Sequence, residues 1–125
     1  MIRFAALVIG LGTLFVSGDA RVFAQLNGTV EPSSMRLAQH LKAIGGRFYG
    51  SWTCPACQRQ LALFNRTDQN AIPYIECNKP EEYPEQAKIC HSAELRVYPT
   101  WELRDGSRLE GVQSLETLQR WSGLE

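Results

Sequence analysis

The chain has 125 residues, 44% of them hydrophobic and 21% charged. It therefore has apolar surface for one globular domain and no compositional bias toward disorder or collagen-like repeats. Thirteen basic residues balance thirteen acidic ones, which leaves no cationic field to hold a nucleic-acid backbone through many phosphate contacts.

Met1-Ile2-Arg3 is a short positive start, and Phe4 to Val16 follows without a charge. A helix of that length spans roughly 20 Å, short of the roughly 30 Å of hydrocarbon core that a membrane helix must cross. Ser17-Gly18-Asp19-Ala20 then turns polar, and Val22-Phe23-Ala24 places small residues where a signal peptidase reads them. Residues 1–24 are expected to be a signal peptide cut after Ala24. A cut after Ala20, an uncleaved anchor and a buried core helix are the other readings. Cleavage removes Arg3, Arg21 and Asp19, taking the net charge from 0 to −1. No later apolar run reaches membrane length, so the mature chain is expected to be soluble and extracytoplasmic, in a periplasm or thylakoid lumen. Disulfides persist in such compartments.

Residues 25–32 read as a linker and 33–125 as the folded domain. Ser33-Ser34 offers an N-cap to a helix whose Met35, Leu37, Ala38, Leu41 and Ile44 recur at helical spacing until Gly45-Gly46. Arg47 to Ser51 is a short aromatic strand, and Trp52-Thr53-Cys54 turns into a helix that Pro55 opens at its first position. That helix carries Leu61, Leu63 and Phe64. Ile72 to Cys77 reads as a second strand with proline near its start, and Asn78 to Pro84 as a polar loop in which Glu81-Glu82 is solvated. Glu85 to Leu95 is expected to be a helix. Tyr98 to Leu103 and Arg108 to Glu110 form a hairpin around Arg104-Asp105-Gly106, and Ser114 caps a last helix that ends at Gly123. A strand, a helix and a strand at the front imply a parallel pair joined by a right-handed crossover. The expected fold is α/β: a central four-stranded mixed sheet, a parallel β-α-β unit plus an antiparallel C-terminal hairpin, with helices on both faces.

Cys54-Pro55-Ala56-Cys57 sits where a strand runs into a helix. A thiolate is the attacking species in disulfide exchange, and the unpaired N–H groups of a helix start stabilise its charge. The spacing leaves Cys54 at the tip, where it can attack a substrate disulfide, and Cys57 one turn inward, where it can resolve the mixed disulfide. Covalent haem attachment would require histidine directly after Cys57, and Gln58 stands there. A four-cysteine zinc site would favour a second close pair, whereas Cys77 and Cys90 are thirteen positions apart, with His91 a conceivable substitute ligand. A purely structural Cys54–Cys57 bridge closes too small a loop to restrict the unfolded chain much. Cys77 ends a strand and Cys90 lies within a helix, so 54–57 with 77–90 is the pairing consistent with these positions. The second pair is either a structural staple or a relay exchanging electrons with the first. Trp52 reads as a shield and apolar surface beside the turn, Trp101 and Trp121 as core, and His40 as solvated.

Tyr49 to Cys57, Pro73-Tyr74-Ile75-Glu76-Cys77, Cys90, Tyr98-Pro99-Thr100-Trp101 and Gly111-Val112-Gln113-Ser114-Leu115 occur in an order that resembles one branch of the thioredoxin superfamily. That branch is the thioredoxin-like domain fused to vitamin K epoxide reductase homologues in cyanobacteria and plant chloroplasts. The resemblance runs from about Ser33 to Leu124 and does not extend to the membrane-embedded reductase part. It implies Cys54 as nucleophile, Cys57 as resolving thiol, Cys77 and Cys90 as the branch's additional pair and Pro99 as the superfamily's cis-proline. Trp52, Pro55, Tyr98 and Pro99 would meet substrate, with the Tyr98 backbone pairing to an extended segment. Partners would be protein thiols and disulfides and a quinone-linked membrane reductase. The sulfurs themselves carry the electrons, so no cofactor or metal is expected, and the domain would act as a monomer. Two positions depart from better-known relatives: Phe48 stands where thioredoxins carry a buried acid, and Ala56 where strong oxidants often carry histidine. The direction of electron flow is therefore open at this stage, between oxidase, reductase and isomerase. A disulfide-stapled peptide-binding module without turnover is the rival from another class.

Overall fold

The computed structural model describes residues 33–125, so the expected signal peptide and linker lie outside the described residues. The order is α1 (Ser33–Ala43), β1 (Arg47–Gly50), α2 (Pro55–Ala62), a 3₁₀ turn (Gln69–Ala71), β2 (Tyr74–Glu76), α3 (Pro84–Ser92), β3 (Thr100–Glu102), β4 (Arg108–Glu110) and α4 (Leu115–Ser122). The strands lie in the order β2-β1-β3-β4. β1 pairs parallel with β2 and antiparallel with β3, and β4 returns antiparallel to β3. This mixed sheet is α/β and thioredoxin-like. Among the described residues no helix is long and apolar enough to cross a membrane.

Register decides which side of the sheet holds the core. Phe48 stands opposite both Tyr74 and Trp101, so these three rings share one face. Their centroids lie 5.4 Å and 4.5 Å from Phe48. Leu37, Ala38 and Leu41 of α1, Cys57 of α2 and Leu118 of α4 are buried against the same cluster. α3 covers the opposite face, where Tyr49 donates to Glu102 at 3.0 Å and Arg108 reaches the Ala93 carbonyl at 2.8 Å.

α2 ends at Ala62, so Leu63 and Phe64 follow the helix rather than belong to it, and four further expectations need correction. Ser34 does not cap α1: it lies inside the helix, and its buried hydroxyl donates to the carboxylate of Asp68. That bond, more than those from Thr67 and Asn65, holds the Asp68 carboxyl below its usual value against the opposing effect of burial. His40 is partly buried rather than solvated, with Nε2 donating to the Ser122 carbonyl at 2.9 Å, which ties α1 to the end of α4. α3 stops at Ser92 instead of Leu95, because the chain turns left-handed at Glu94 (φ 49°). β3 begins at Thr100, leaving Tyr98 and Pro99 in the approach to the strand, joined by a cis peptide bond. Elsewhere the local signals hold. Ser114 accepts from the Thr117 N–H at 3.1 Å and Gly123 ends α4 in a left-handed conformation (φ 74°). Trp101 is buried and Trp121 packs half-buried against the core.

Both sheet edges are only three residues long. On the β2 edge the outward N–H of Glu76 is taken by the Gln86 side chain at 2.6 Å.

Gln60 is fully buried on α2. Its Oε1 accepts from the Trp101 indole at 3.2 Å and from the Gln113 backbone N–H at 2.7 Å, while Nε2 donates to the Gln113 carbonyl at 3.0 Å. Gln60→Leu keeps the volume but strands two N–H donors in the interior. At 1–3 kcal/mol per orphaned group, urea unfolding is expected to show a loss of about 2 kcal/mol or more with an unchanged m-value.

Candidate active site

β1 ends at Gly50, and the next seven residues build the site. The Cys54 N–H donates to the Ser51 carbonyl at 3.0 Å, closing the turn, and the Ser51 and Thr53 hydroxyls meet at 3.0 Å. Pro55 opens α2, a position where no N–H is required. Cys54 is thereby the N-cap residue, and its sulfur occupies the place usually taken by a serine or aspartate oxygen. The Cys57 N–H points at Cys54 Sγ from 3.2 Å, so a backbone dipole already faces the atom on which a thiolate charge would reside.

The two thiols are free and differently exposed: Cys54 is half-buried and Cys57 is fully buried. Burial pushes the Cys57 thiol from 9.0 up to about 12, the hydrogen bond to Cys54 adds to the rise, and the Ser51 backbone opposes it. The sulfur nearer the surface can thus meet a partner, and the sulfur behind it is held protonated.

Tyr98 and Pro99 come back to this point from the other end of the domain. Cys54 Sγ lies 3.8 Å from the Tyr98 carbonyl oxygen. The Pro99 carbonyl accepts from the Gly111 N–H at 2.8 Å, which anchors the approach to β3. Trp52 is 55% exposed with the Lys79 ammonium 5.2 Å from its ring, and Tyr98 is 40% exposed. Tyr98 thus lies beside the Cys54 sulfur, and Trp52 stands exposed two positions before it in the turn. Chemically, the arrangement supplies a nucleophile and a second thiol to displace what it binds.

Cys77 and Cys90 are joined as a disulfide, with their α-carbons 5.6 Å apart. Neither is therefore available as a thiolate ligand for zinc. The bridge fastens the end of β2 to α3 and lines a cleft of about 530 Å³ that reaches Tyr98.

No protein-family model matches the chain. It is similar to the thiol-disulfide oxidoreductase LTO1 of Arabidopsis thaliana, 31% identical over 103 residues that make up 80% of this chain. The likeness supports a thioredoxin-like redox family. The matched segment spans 27% of the relative's length.

Three residues near the site were given no role by the sequence. Gln60 lies inside the helix, Asn78 opens the polar loop, and Glu76 entered only as part of the Pro73–Cys77 run. Asn78 in fact donates to Thr53 Oγ1 at 3.3 Å, joining the loop after β2 to the active turn. Glu76 is 5% exposed, a burial that alternation along β2 could have suggested, since it shares a face with Tyr74.

Two outcomes follow. The folded value for Cys57 lies above the unfolded one, so this thiol's contribution to the stability of the reduced fold is complete below pH 9 and is lost as pH rises toward 12. Iodoacetamide followed by mass spectrometry is expected to modify Cys54 in the native protein near neutrality and to reach Cys57 only above pH 9. Replacing both Cys77 and Cys90 by alanine releases a loop of 13-residue separation. The chain-entropy account then gives a loss of about 3 kcal/mol, read as a thermal midpoint lower by about 10 °C or more.

Proposed function

We propose that this chain is a protein thiol–disulfide oxidoreductase that exchanges disulfides through Cys54 and Cys57. The observation that carries the reading is the half-buried Cys54 sulfur at the start of α2, with the Cys57 N–H behind it and the Tyr98 carbonyl beside it. In the reducing direction Cys54 attacks a substrate disulfide and one substrate sulfur leaves. Cys57 then attacks the Cys54 sulfur, the Cys54–Cys57 bond forms, and the second substrate thiol departs with two electrons transferred. Oxidation of a dithiol substrate is the reverse.

The N-terminal segment favours work outside the cytoplasm, in a periplasm or thylakoid lumen, where oxidative disulfide formation is the reaction required. A quinone-linked membrane protein resembling vitamin K epoxide reductase would return the pair to the disulfide, and a single copy of the domain would suffice. Trp52, Pro55, Tyr98 and Pro99 would hold an extended segment of the partner, with its backbone against Tyr98. The Cys77–Cys90 bridge serves as a staple for the loop that touches the active turn.

Cys54→Ser is expected to abolish exchange with a disulfide-bonded test protein, and Cys57→Ser to accumulate mixed disulfides that dithiothreitol releases on a non-reducing gel. Full exchange by the Cys54→Ser protein would sink the proposal. Partner binding that survives in the double serine variant, with no turnover in the wild type, would identify a peptide-binding module instead.

A further inference from the structure

A buried carboxylate, Glu76, stands on the strand beside β1. Glu76 pairs in register with Gly50, two residues along β1 from Phe48 and on the same face of the sheet. That is the face against which Cys57 is buried in the cluster of Phe48, Trp101 and Tyr74. Gly50 leaves the room for this: a β-carbon there would come within 2.8 Å of the Tyr74 ring, so the ring lies across the glycine just before the active turn. Tyr74 donates its hydroxyl to Glu76 Oε2 at 2.9 Å, and the Asn78 N–H donates to Oε1 at 2.8 Å.

The charges around Glu76 do not neutralise it. Among the described residues no lysine, arginine or histidine forms a salt bridge with it. In the adjoining loop Lys79 pairs with Glu82 at 3.3 Å and lies over Trp52, and Tyr83 is bound up with Glu82. On α3 the group that meets β2 is the neutral Gln86, while Glu85 and Lys88 pair with each other at 2.8 Å. On β1, Arg47 and Tyr49 belong to the opposite face with Glu102. From α2 come Cys54 and Cys57. A buried carboxylate held only by neutral donors is costly to maintain. It is also a base on the side of the sheet against which Cys57 is buried, bonded to the Tyr74 ring that packs in the same cluster as that thiol.

We propose that Glu76, positioned by Tyr74, takes the proton from Cys57 as that thiol resolves the mixed disulfide, and returns it in the reverse reaction. In the forward step the S–H proton passes to the carboxylate, the Cys57 sulfur bonds to Cys54, and the Cys54–substrate bond breaks to release a substrate thiolate. In the oxidising direction a substrate thiolate attacks Cys54, and the departing Cys57 sulfur collects the proton from the Glu76 carboxyl. Burial supports the assignment, because it holds the Cys57 thiol protonated up to about 12. The Glu76 charge raises Cys57 further, though less than burial and Cys54 do, and it raises the Tyr74 hydroxyl as well.

The inference rests on the redox reading, and one experiment separates their failures. The reduced protein is mixed with dithiobis(nitrobenzoate), which releases one thionitrobenzoate when Cys54 attacks and a second when Cys57 displaces the first adduct. If the wild type releases only one, Cys57 does not resolve and the oxidoreductase reading itself fails. With both phases present, Glu76→Gln is expected to leave the first phase unchanged and slow the second by about 10²-fold near neutral pH, the lower end of what a positioned general base supplies. Its second phase should then climb with hydroxide, whereas the wild type holds a plateau. Glu76→Asp should recover part of the rate. Electrostatics alone predicts the opposite sign, since removing a negative charge beside Cys57 eases its ionisation, so an equal or faster second phase in Glu76→Gln overturns the proposal. If that variant does not fold, the wild type still decides: a second phase rising tenfold per pH unit from pH 6 to 9 without a plateau also overturns it.

Discussion

One buried amide holds the two halves of the site to each other. Gln60 stands on the helix that begins with the two free thiols, and its hydrogen bonds reach the indole of β3 and the backbone ahead of α4. The segment just before Gln113 contains Gly111, whose N–H fixes the Pro99 carbonyl. Helix, strand and loop are therefore locked in one polar knot inside an apolar core, where each unmade bond would cost more than each made bond contributes. The separation of 3.8 Å between Cys54 and the Tyr98 carbonyl follows from that knot. Neither residue is placed by its sequence neighbours alone.

The asymmetry of the two thiols has the same origin. An eight-residue helix that turns Cys57, Gln60 and Leu61 toward the core leaves Cys54, the residue that caps it, only partly buried. Cys57 consequently loses its water, and loss of water decides its protonation before any charged neighbour does. The loop after β2 closes the site from the side. It is braced by the Cys77–Cys90 bond at one end, and Asn78 and Lys79 carry it to Thr53 and Trp52.

Much of this was legible in the chain. The elements, the proline-opened helix and the Ser114 and Gly123 caps are written in local chemistry, because each depends on residues within a turn of one another, and the mixed sheet follows from the order of those elements. The Cys54–Cys57 motif is local in the same sense. What escaped was set by packing between distant segments. Ser34 looked like a cap because serine before an apolar stripe usually is one, but Asp68 competes for its hydroxyl from 34 positions away. His40 looked solvated because its neighbours Gln39 and Lys42 are polar, and only the arrival of α4 places the Ser122 carbonyl before it. The Glu76 carboxylate was hidden for a third reason. Its meaning depends on strand register, and a one-residue slip of β2 would turn it to the other face.

The shortness of β2 and β4 has a consequence for how such a molecule behaves in a crowd. An exposed strand edge is a template on which another chain can extend the sheet, and long flat edges seed aggregation. Here each outer strand offers three residues, β4 carries Arg108 and Glu110 at its ends, and the Gln86 amide already occupies the outward N–H of Glu76 on β2. Two copies therefore have almost no free ladder along which to zip together, and any other extended chain finds almost none on which to lengthen the sheet.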